Sequence, residues 1–235
     1  MLFPTPLVSA RLIRRYKRFL ADVVLEETGE EVVAHCPNPG AMLGLAEPDS
    51  RIWVEPNNDP RKKLKYGWRL SELEGGHFAG IDTGVPNKVV GESLRARQIA
   101  EFAEYQTVRA EMPYAEKSRV DFLLQQSGFP DVYLEVKNAH LRRKGTLAEF
   151  PDSVTARGAR HLGDLAEMVG QGHRAVMFYL VQRTDCDALS LAADLDPGYA
   201  EAFKTARAAG VEVLVFGTNI STVGVSLGEA FSFVD

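Results

Sequence analysis

The stretch that decides the fold is SRVDFLLQQSGFPDVYLEVKNAH, residues 118–140. Two apolar runs flank the turn-forming QSGFP, and this pattern predicts a β-hairpin. Side chains alternate along a strand, so Glu135 and Lys137 share one face of the second strand. The hairpin would place Asp121 of the first strand beside them. The sequence therefore predicts two carboxylates and an amine in one small volume.

This group of three side chains suits phosphodiester hydrolysis. Carboxylate oxygens are preferred ligands of Mg²⁺ or Mn²⁺, and such a metal lowers the pKa of a bound water and offsets charge on a phosphate. A neighbouring lysine would orient the nucleophile or stabilise the transition state. The alternative is a surface ion pair. Against it, Glu135-Val136-Lys137 is the one Asp/Glu-x-Lys sequence in the chain, and it lies in an apolar run, where a charge without a purpose is costly.

The elements around this hairpin predict an α/β domain over residues 83–235 with a mixed central sheet. A helix is predicted from Val89 to Tyr105, ahead of a strand at 107–114 and the hairpin itself. A second helix is predicted from Ser153 to Val169, and a third is closed by Gly210. Each of these two helices is followed by an apolar run typical of a buried strand.

The first 82 residues have a different pattern, with short strand-like runs and turn-rich connections. Alternating residues from 7 to 36 are broken near Gly29, which predicts a hairpin turn, and RIWVE, KLKYGWRLSEL and HFAGIDT are further strands. No long helix is predicted before residue 85. About five short strands in a domain of this size favour a closed barrel such as an OB-fold, because closure removes exposed sheet edges.

Composition limits the class of protein. The 235 residues carry a formal net charge of −5, which excludes a globally basic nucleic-acid binder but allows a local basic face. The N-terminus has its apolar stretch before its basic cluster, the reverse of a secretory signal, and no long apolar run follows. A cytoplasmic location without membrane contact is expected. Cys36 and Cys186 lack the spacing of a disulfide framework or zinc site.

Three basic segments are candidate nucleic-acid contacts: the first basic segment (residues 11–19), the second (residues 61–69) and the third (residues 141–145). The first two interleave cations with aromatic rings, as single-stranded nucleic acid favours. The alternative is that the rings belong to the core and the cations to a solvated face. The residues selected as contacts are Arg14, Arg15, Tyr16, Lys17, Arg18, Lys62, Lys63, Arg142 and Arg143.

Several longer tracts resemble the sugar fermentation stimulation protein A family. They are HCPNPGAM, DTGVPN, SRVDFLL, YLEVKN, FPDSVTARGARHLGDL and GHRAVMFYLVQR, and the resemblance covers nearly the whole chain. It implies an OB-fold over residues 1–82, followed by a domain similar to PD-(D/E)xK nucleases over residues 83–235. It also implies DNA binding. The chain departs from the family at Pro39, where many members have threonine, and at Arg160, where lysine is common.

The resemblance assigns Asp121 and Glu135 as metal ligands and Lys137 as the motif's lysine, with Mg²⁺ or Mn²⁺ as the cofactor. The leading hypothesis is thus a DNA-binding protein with metal-dependent nuclease activity. One alternative is a non-catalytic DNA-binding transcriptional regulator linked to sugar utilisation. Another is an RNA-processing factor, since OB-folds bind either polymer. A homodimer is left open.

In many nucleases of this kind, a glutamate on the preceding helix also reaches the metal. Glu92 is the candidate chosen for this role, over Glu101 and Glu104. Its alternative role is stabilisation of the helix N-terminus. His161 could likewise contact a phosphate, or serve as a hydrogen-bonded structural histidine.

Overall fold

The structure is a computed structural model that describes residues 1–115 and 118–235. It contains an N-terminal β-barrel, whose last strand ends at Gly80, and an α/β domain, whose first helix begins at Val85. No helix within these ranges is long and apolar enough to cross a membrane.

The N-terminal domain is an OB-like closed barrel. Its strands are β1 (Val8–Tyr16), β2 (Leu20–Leu25), β3 (Glu31–His35), β4 (Arg51–Pro56), β5 (Tyr66–Glu72) and β6 (Phe78–Gly80). They lie in the order β3-β2-β1-β4-β5-β6, and an additional pairing between β3 and β5 closes the barrel. In β2 the buried residues are Ala21, Val23 and Leu25, so strict alternation fills the interior. Trp68 is fully buried there, which confirms the core alternative for this ring.

The C-terminal domain is a mixed-sheet α/β domain. Its helices are α1 (Val85–Arg95), α2 (Ala156–Gly170) and α3 (Pro197–Ala208). Its central-sheet strands are β7 (Thr107–Ala115), β8 (Ser118–Gln125), β9 (Val132–Ala139), β12 (Arg174–Val181), β14 (Glu212–Ile220) and β15 (Val225–Ala230). The other strands are β10 (Leu141–Lys144), β11 (Leu147–Phe150), β13 (Ala188–Leu191) and β16 (Ser232–Val234). The central sheet has the order β15-β14-β12-β9-β8-β7, in which β9, β12 and β14 are parallel and the other neighbours antiparallel.

The two faces of the central sheet are covered by different helices, and this separation positions the site. On β9, Val132, Leu134 and Val136 pack into the core that contains α1. Residues between them point to the opposite face, where the core contains side chains of α2 and α3. Glu135 and Lys137 therefore face α2, as strand alternation predicts.

Three local features differ from the sequence prediction. The first helix begins at Val85 rather than Val89, with proline in its first turn, and ends at Arg95 instead of continuing to Tyr105. A tight turn at Lys17 and Arg18, both with positive φ, separates β1 from β2. This turn was not predicted, because glycine or asparagine usually marks such a conformation.

The third difference is a second sheet of four strands, in the order β10-β11-β13-β16. Its strands are only three or four residues long, and the β11–β13 and β13–β16 pairs join parallel segments far apart in sequence. Short strands of this kind have little periodicity, which explains why this sheet was not predicted.

Candidate functional site

The hairpin of β8 and β9 brings Asp121, Glu135 and Lys137 together. The last backbone pair of the two strands is Phe122 opposite Leu134, and Asp121 directly precedes Phe122 in β8. Beyond this pair, the Asp121 side chain bonds to β9 instead: its Oδ2 accepts a hydrogen bond from the Val136 backbone N–H at 2.7 Å. The convergence predicted from the hairpin is thus observed, while the roles of the three residues stay predictions.

The surroundings of Asp121 disfavour the negatively charged form of its carboxyl group. Burial, followed by the neighbouring charge of Glu135, raises the Asp121 pKa to about 6. Two hydrogen bonds act in the opposite direction, from the Val136 N–H and from the Asn87 side chain, whose Nδ2 lies 2.7 Å from Oδ1. A positive ligand between the two carboxylates would relieve this repulsion.

Glu135 is almost completely buried, and its two carboxylate oxygens differ in their hydrogen bonds. Oε1 accepts a hydrogen bond from Lys137 Nζ at 2.8 Å and another from His161 Nδ1. Oε2 is buried and has no hydrogen-bond partner among the described residues. Burial opposes the charge of Glu135, but the bonds from His161 and Lys137 outweigh it and lower the pKa. A charged carboxylate with one free, buried oxygen results.

His161 is a buried residue of α2, bonded on both ring nitrogens. Arg157 Nε donates to His161 Nε2 at 3.2 Å. Arginine only donates, so Nε2 accepts and the ring proton lies on Nδ1, where it donates to Glu135. This agrees with the structural alternative considered for His161 and adds a specific task, which is to orient Glu135.

The donor set fits one hard divalent cation. Mg²⁺ is commonly held by one or two carboxylates together with waters and substrate phosphates. Asp121 and Glu135 supply the two carboxylates, and no described residue donates a hydrogen bond to the buried Oε2 of Glu135. Within residues 1–115 and 118–235, no group of three His, Cys, Asp or Glu residues is arranged to hold a metal. The fit is therefore to a cation that keeps much of its water.

Glu92 does not join this group. Its carboxylate is exposed and pairs with the amino group of Met1 at 2.7 Å. Glu92 lies five residues after Asn87 on α1, which rotates it about 140° around the helix. Asn87, which contacts Asp121, is the residue of α1 that reaches the site. This placement gives no support to the prediction of Glu92 as a metal ligand.

A cleft of about 920 Å³ opens between the two domains beside Lys137. On one side it is lined by Arg18 and the loop from Asn38 to Ala41, and on the other by Asn138, His140 and Asp152 with Arg157 from α2. The loop is close to Asp152, since a Cβ atom at Gly40 would overlap its carboxylate. A side chain at position 40 would therefore displace the Asp152 carboxylate from its present position.

The cations of the first basic segment differ in their contacts. Arg14 pairs with Asp22 at 2.8 Å and lies over the Tyr16 ring, 5.0 Å from its centroid. Arg15 donates to backbone oxygens of Asn38 and Gly40 at 2.7 and 2.9 Å, so it holds the cleft loop. Lys17 and Arg18 form the exposed β1–β2 turn.

The other two basic segments also differ from each other. Lys62 and Lys63 are exposed in the loop before β5. Arg142 pairs with Asp185, and Arg143 pairs with Glu149 and Asp194. Arg142 and Arg143 are thus already matched by carboxylates, which weakens the prediction that they contact nucleic acid.

Sequence reasoning missed four residues of this site: Asn87, Asn138, His140 and Asp152. The tracts DTGVPN, YLEVKN and FPDSV contain three of them and carried the family resemblance, so a signal was present. No local pattern shows that a helix residue bonds to a strand carboxylate, or that a loop aspartate reaches the other domain.

Comparison with known proteins agrees with this architecture. The model of the sugar fermentation stimulation protein RE domain matches residues 84–224, and that of the SfsA N-terminal OB domain matches residues 13–81. The sugar fermentation stimulation protein homolog of Dinoroseobacter shibae is 68% identical, with 98% of this chain and 94% of that protein covered. The homolog of Ruegeria pomeroyi is 61% identical over 97% and 99%. The solved structure of Pyrococcus furiosus SfsA in complex with Ca²⁺ is 25% identical, with a TM-score of 0.88 and coverage of 100% and 98%. The chain therefore belongs to the sugar fermentation stimulation protein family.

Proposed function

We propose that this protein binds DNA and hydrolyses phosphodiester bonds with a divalent metal, Mg²⁺ or Mn²⁺, held by Asp121 and Glu135. One observation carries the proposal: the buried Oε2 of Glu135 has no donor among the described residues, next to an Asp121 carboxyl whose pKa is raised to about 6. Buried unpaired acceptors and like charges destabilise a fold, so their presence beside a cleft points to a ligand. The OB-like barrel supports nucleic acid as the partner.

The relative from Pyrococcus furiosus supports the metal, since its structure is a complex with Ca²⁺. Ca²⁺ and Mg²⁺ are both hard cations that take oxygen ligands. When bound, such a metal supplies a water of lowered pKa and offsets charge on the phosphate.

The residues of this chain have distinct tasks in the proposed reaction. Val136 N–H and Asn87 hold Asp121 in place, while His161 fixes Glu135 so that its Oε2 stays free. Lys137 Nζ is paired with Glu135 Oε1 at the edge of the cleft. From there its ammonium group can donate to the attacking water or to a phosphate oxygen.

Cleavage assays with Lys137→Ala test this proposal. Wild type and variant are incubated with end-labelled single-stranded and duplex DNA and RNA, with Mg²⁺, Mn²⁺ or EDTA. Lys204→Ala, an exposed lysine of α3, is the matched control. We expect metal-dependent cleavage by wild type and Lys204→Ala and a loss of at least about 100-fold in Lys137→Ala, the scale of one transition-state donor. Equal cleavage by all three proteins would exclude the assigned role of Lys137.

A non-catalytic DNA-binding regulator is the second candidate. It is favoured by Lys137 and His161 both bonding to Glu135 Oε1, a self-contained network that a scaffold could retain. Under this alternative, wild type and Lys137→Ala bind DNA equally well and neither cleaves any substrate with any metal.

A further inference from the structure

We propose that a single nucleic-acid strand binds along a continuous track, from the groove at Lys62 and Lys63 over the rings of His35 and Phe19 to Arg18 and into the interdomain cleft. This inference rests on the proposed function and deepens it, because it names the form of the substrate. Bases would stack on the aromatic rings, and phosphates would lie against the flanking cations.

The aromatic part of the track is an exposed stacked pair on the barrel. Phe19 is 45% exposed and stacks on His35, with ring centroids 6.5 Å apart and planes inclined by 24°. Both rings lie outside the barrel core. An exposed ring that already stacks on a neighbour offers a second face to a base, and every base has a π-face that can use it.

The stacked pair connects two depressions in the surface. His35 lines a groove of about 630 Å³ together with Lys62, Lys63 and Tyr66. Arg18, the neighbour of Phe19 in the β1–β2 turn, lines the interdomain cleft that reaches Lys137. The stack therefore lies between the two depressions, and a strand that crosses it would pass from the groove into the cleft that Lys137 lines.

The charge along the track suits phosphates. No carboxylate of a described residue lies within ion-pairing distance of Lys17, Arg18, Lys62 or Lys63. Glu55 and Asp152 are the acidic residues among the described lining of the groove and the cleft, and both carboxylates accept hydrogen bonds from neighbouring side chains. Glu55 pairs with Arg69 at 2.7 Å, and Asp152 accepts from His140 at 3.3 Å. The unpaired charge of the track is consequently positive.

The depth of the candidate active site favours a single strand over a duplex. The Glu135 and Lys137 side chains are only 4% and 14% exposed, and of the two Lys137 lines the cleft. The Asn38–Ala41 loop closes one side of this cleft through its contact with Asp152. A phosphate of a rigid duplex stays at the duplex surface, whereas a flexible strand can bend its backbone inward.

Binding without cleavage tests the track independently of catalysis. The full chain is titrated in EDTA with fluorescein-labelled single-stranded DNA, single-stranded RNA and blunt duplex DNA of 18 nucleotides or base pairs, and anisotropy is recorded at several salt concentrations. We expect at least about tenfold tighter binding of a single strand than of duplex. Phe19→Ala should weaken single-strand binding about 5- to 150-fold, the range for loss of one stacking partner. Phe129→Ala, a 50% exposed ring on the β8–β9 turn, is the matched control and should have no effect.

The charged part of the track has its own measurement. Lys62→Ala combined with Lys63→Ala should reduce the slope of log affinity against log salt by about 1 to 1.5, as expected for two lost phosphate contacts on a single strand. Lys204→Ala on α3 is the control and should leave the slope unchanged. The DNA and RNA arms show which single strand is preferred.

The outcomes separate this inference from the proposed function. Tight duplex binding with metal-dependent duplex cleavage would overturn the track and leave the nuclease standing. Single-strand binding sensitive to Phe19→Ala, without cleavage, would support the track and favour the non-catalytic candidate. Equal effects of Phe19→Ala and Phe129→Ala would also overturn the track.

Discussion

Two partly buried carboxylate sites lie near Lys137 and differ in the groups that surround their aspartates. At the domain contact, Asp152 Oδ2 accepts from Met42 N–H at 3.2 Å and from His140 Nε2 at 3.3 Å. At the hairpin, Asp121 is bonded but lies beside Glu135, whose Oε2 has no partner among the described residues. At the hairpin site one lysine, Lys137, accompanies two carboxylates, so one negative charge is left over.

The pKa values of the two aspartates express this difference. Burial opposes the charge of Asp152, yet the hydrogen bonds from His140 and Met42 lower its pKa to about 2. Burial and the charge of Glu135 raise the pKa of Asp121 to about 6. Burial opposes both charges and each aspartate accepts hydrogen bonds, but Asp121 also lies beside the like charge of Glu135, which raises its pKa further. The neighbouring carboxylate, rather than burial or the number of hydrogen bonds, distinguishes the candidate ligand from the structural acid.

A network of side chains fixes the donors around Asp152. Gln182 Nε2 donates to Asn138 Oδ1 at 2.7 Å, which leaves the Asn138 amide to donate to His140 Nδ1 at 2.8 Å. The remaining His140 Nε2–H then points to Asp152. Met42 belongs to the barrel and His140 to the α/β domain, so Asp152 joins the two domains.

Removing Asp152 should have the largest effect on stability. Asp152→Ala leaves the Met42 N–H and His140 Nε2–H without their acceptor, and we expect the free energy of unfolding to fall by about 2 to 3 kcal/mol. Urea denaturation measured at pH 7 checks this value. Asp152→Asn retains one acceptor oxygen and should lose clearly less. An alanine variant as stable as wild type would show that Asp152 does not hold the domains together.

Neutralising Asp121 should raise the free energy of unfolding, whereas removing Asp152 lowers it. An unfolded aspartate titrates near pH 4, whereas folded Asp121 has a pKa of about 6. The folded state therefore binds this proton more tightly, and the stability contributed by Asp121 declines as pH rises from about 4 to about 6. Asp121→Asn removes this decline, so at pH 8 the metal-free variant should be more stable than wild type by about 1 to 3 kcal/mol.

Denaturation of both proteins at pH 4, 5, 6 and 8 in EDTA checks this prediction. The stability difference should be smallest at pH 4 and reach its maximum above pH 6. Adding Mg²⁺ should raise the melting temperature of wild type and leave that of Asp121→Asn unchanged, since a ligand stabilises only the state that binds it. A variant less stable than wild type at pH 8 would contradict the charge repulsion between Asp121 and Glu135.

His161 links the hairpin site to α2, and its loss should weaken metal binding. Without the donor on Oε1, Glu135 is less well oriented, and residues that support a metal ligand typically contribute 10- to 100-fold in affinity. We expect a loss of about tenfold for His161→Leu, measured by calorimetric titration with Mn²⁺. His161→Asn can place an amide donor near the position of Nδ1 and should recover part of the affinity. If both variants bind Mn²⁺ equally well, His161 does not position Glu135.

The part of the site that the sequence predicted lies within one hairpin, whereas the part that it missed depends on contacts between segments far apart in the chain. Asp121, Glu135 and Lys137 belong to one hairpin, so alternation and a short turn were enough to bring them together. The role of Glu92 depended on the phase of a helix and on where Met1 lies, which no local pattern contains. The same reasoning explains the fold. The barrel and central sheet follow from long apolar runs, whereas the second sheet depends on short strands paired across long separations.

The basic segments show that sequence alone does not identify the partners of a cation, since all three segments were predicted to contact nucleic acid. Arg143 has two carboxylate partners, Glu149 and Asp194, which lie 6 and 51 residues away in sequence. Arg143→Ala should therefore change single-strand affinity less than twofold, while Lys63→Ala weakens it several-fold at low salt. Arg143→Ala should also alter the melting temperature little, because exposed ion pairs contribute little to stability. Anisotropy titrations of both variants in EDTA decide this, and a loss for Arg143→Ala as large as that for Lys63→Ala would mean that nucleic acid displaces the carboxylates from Arg143.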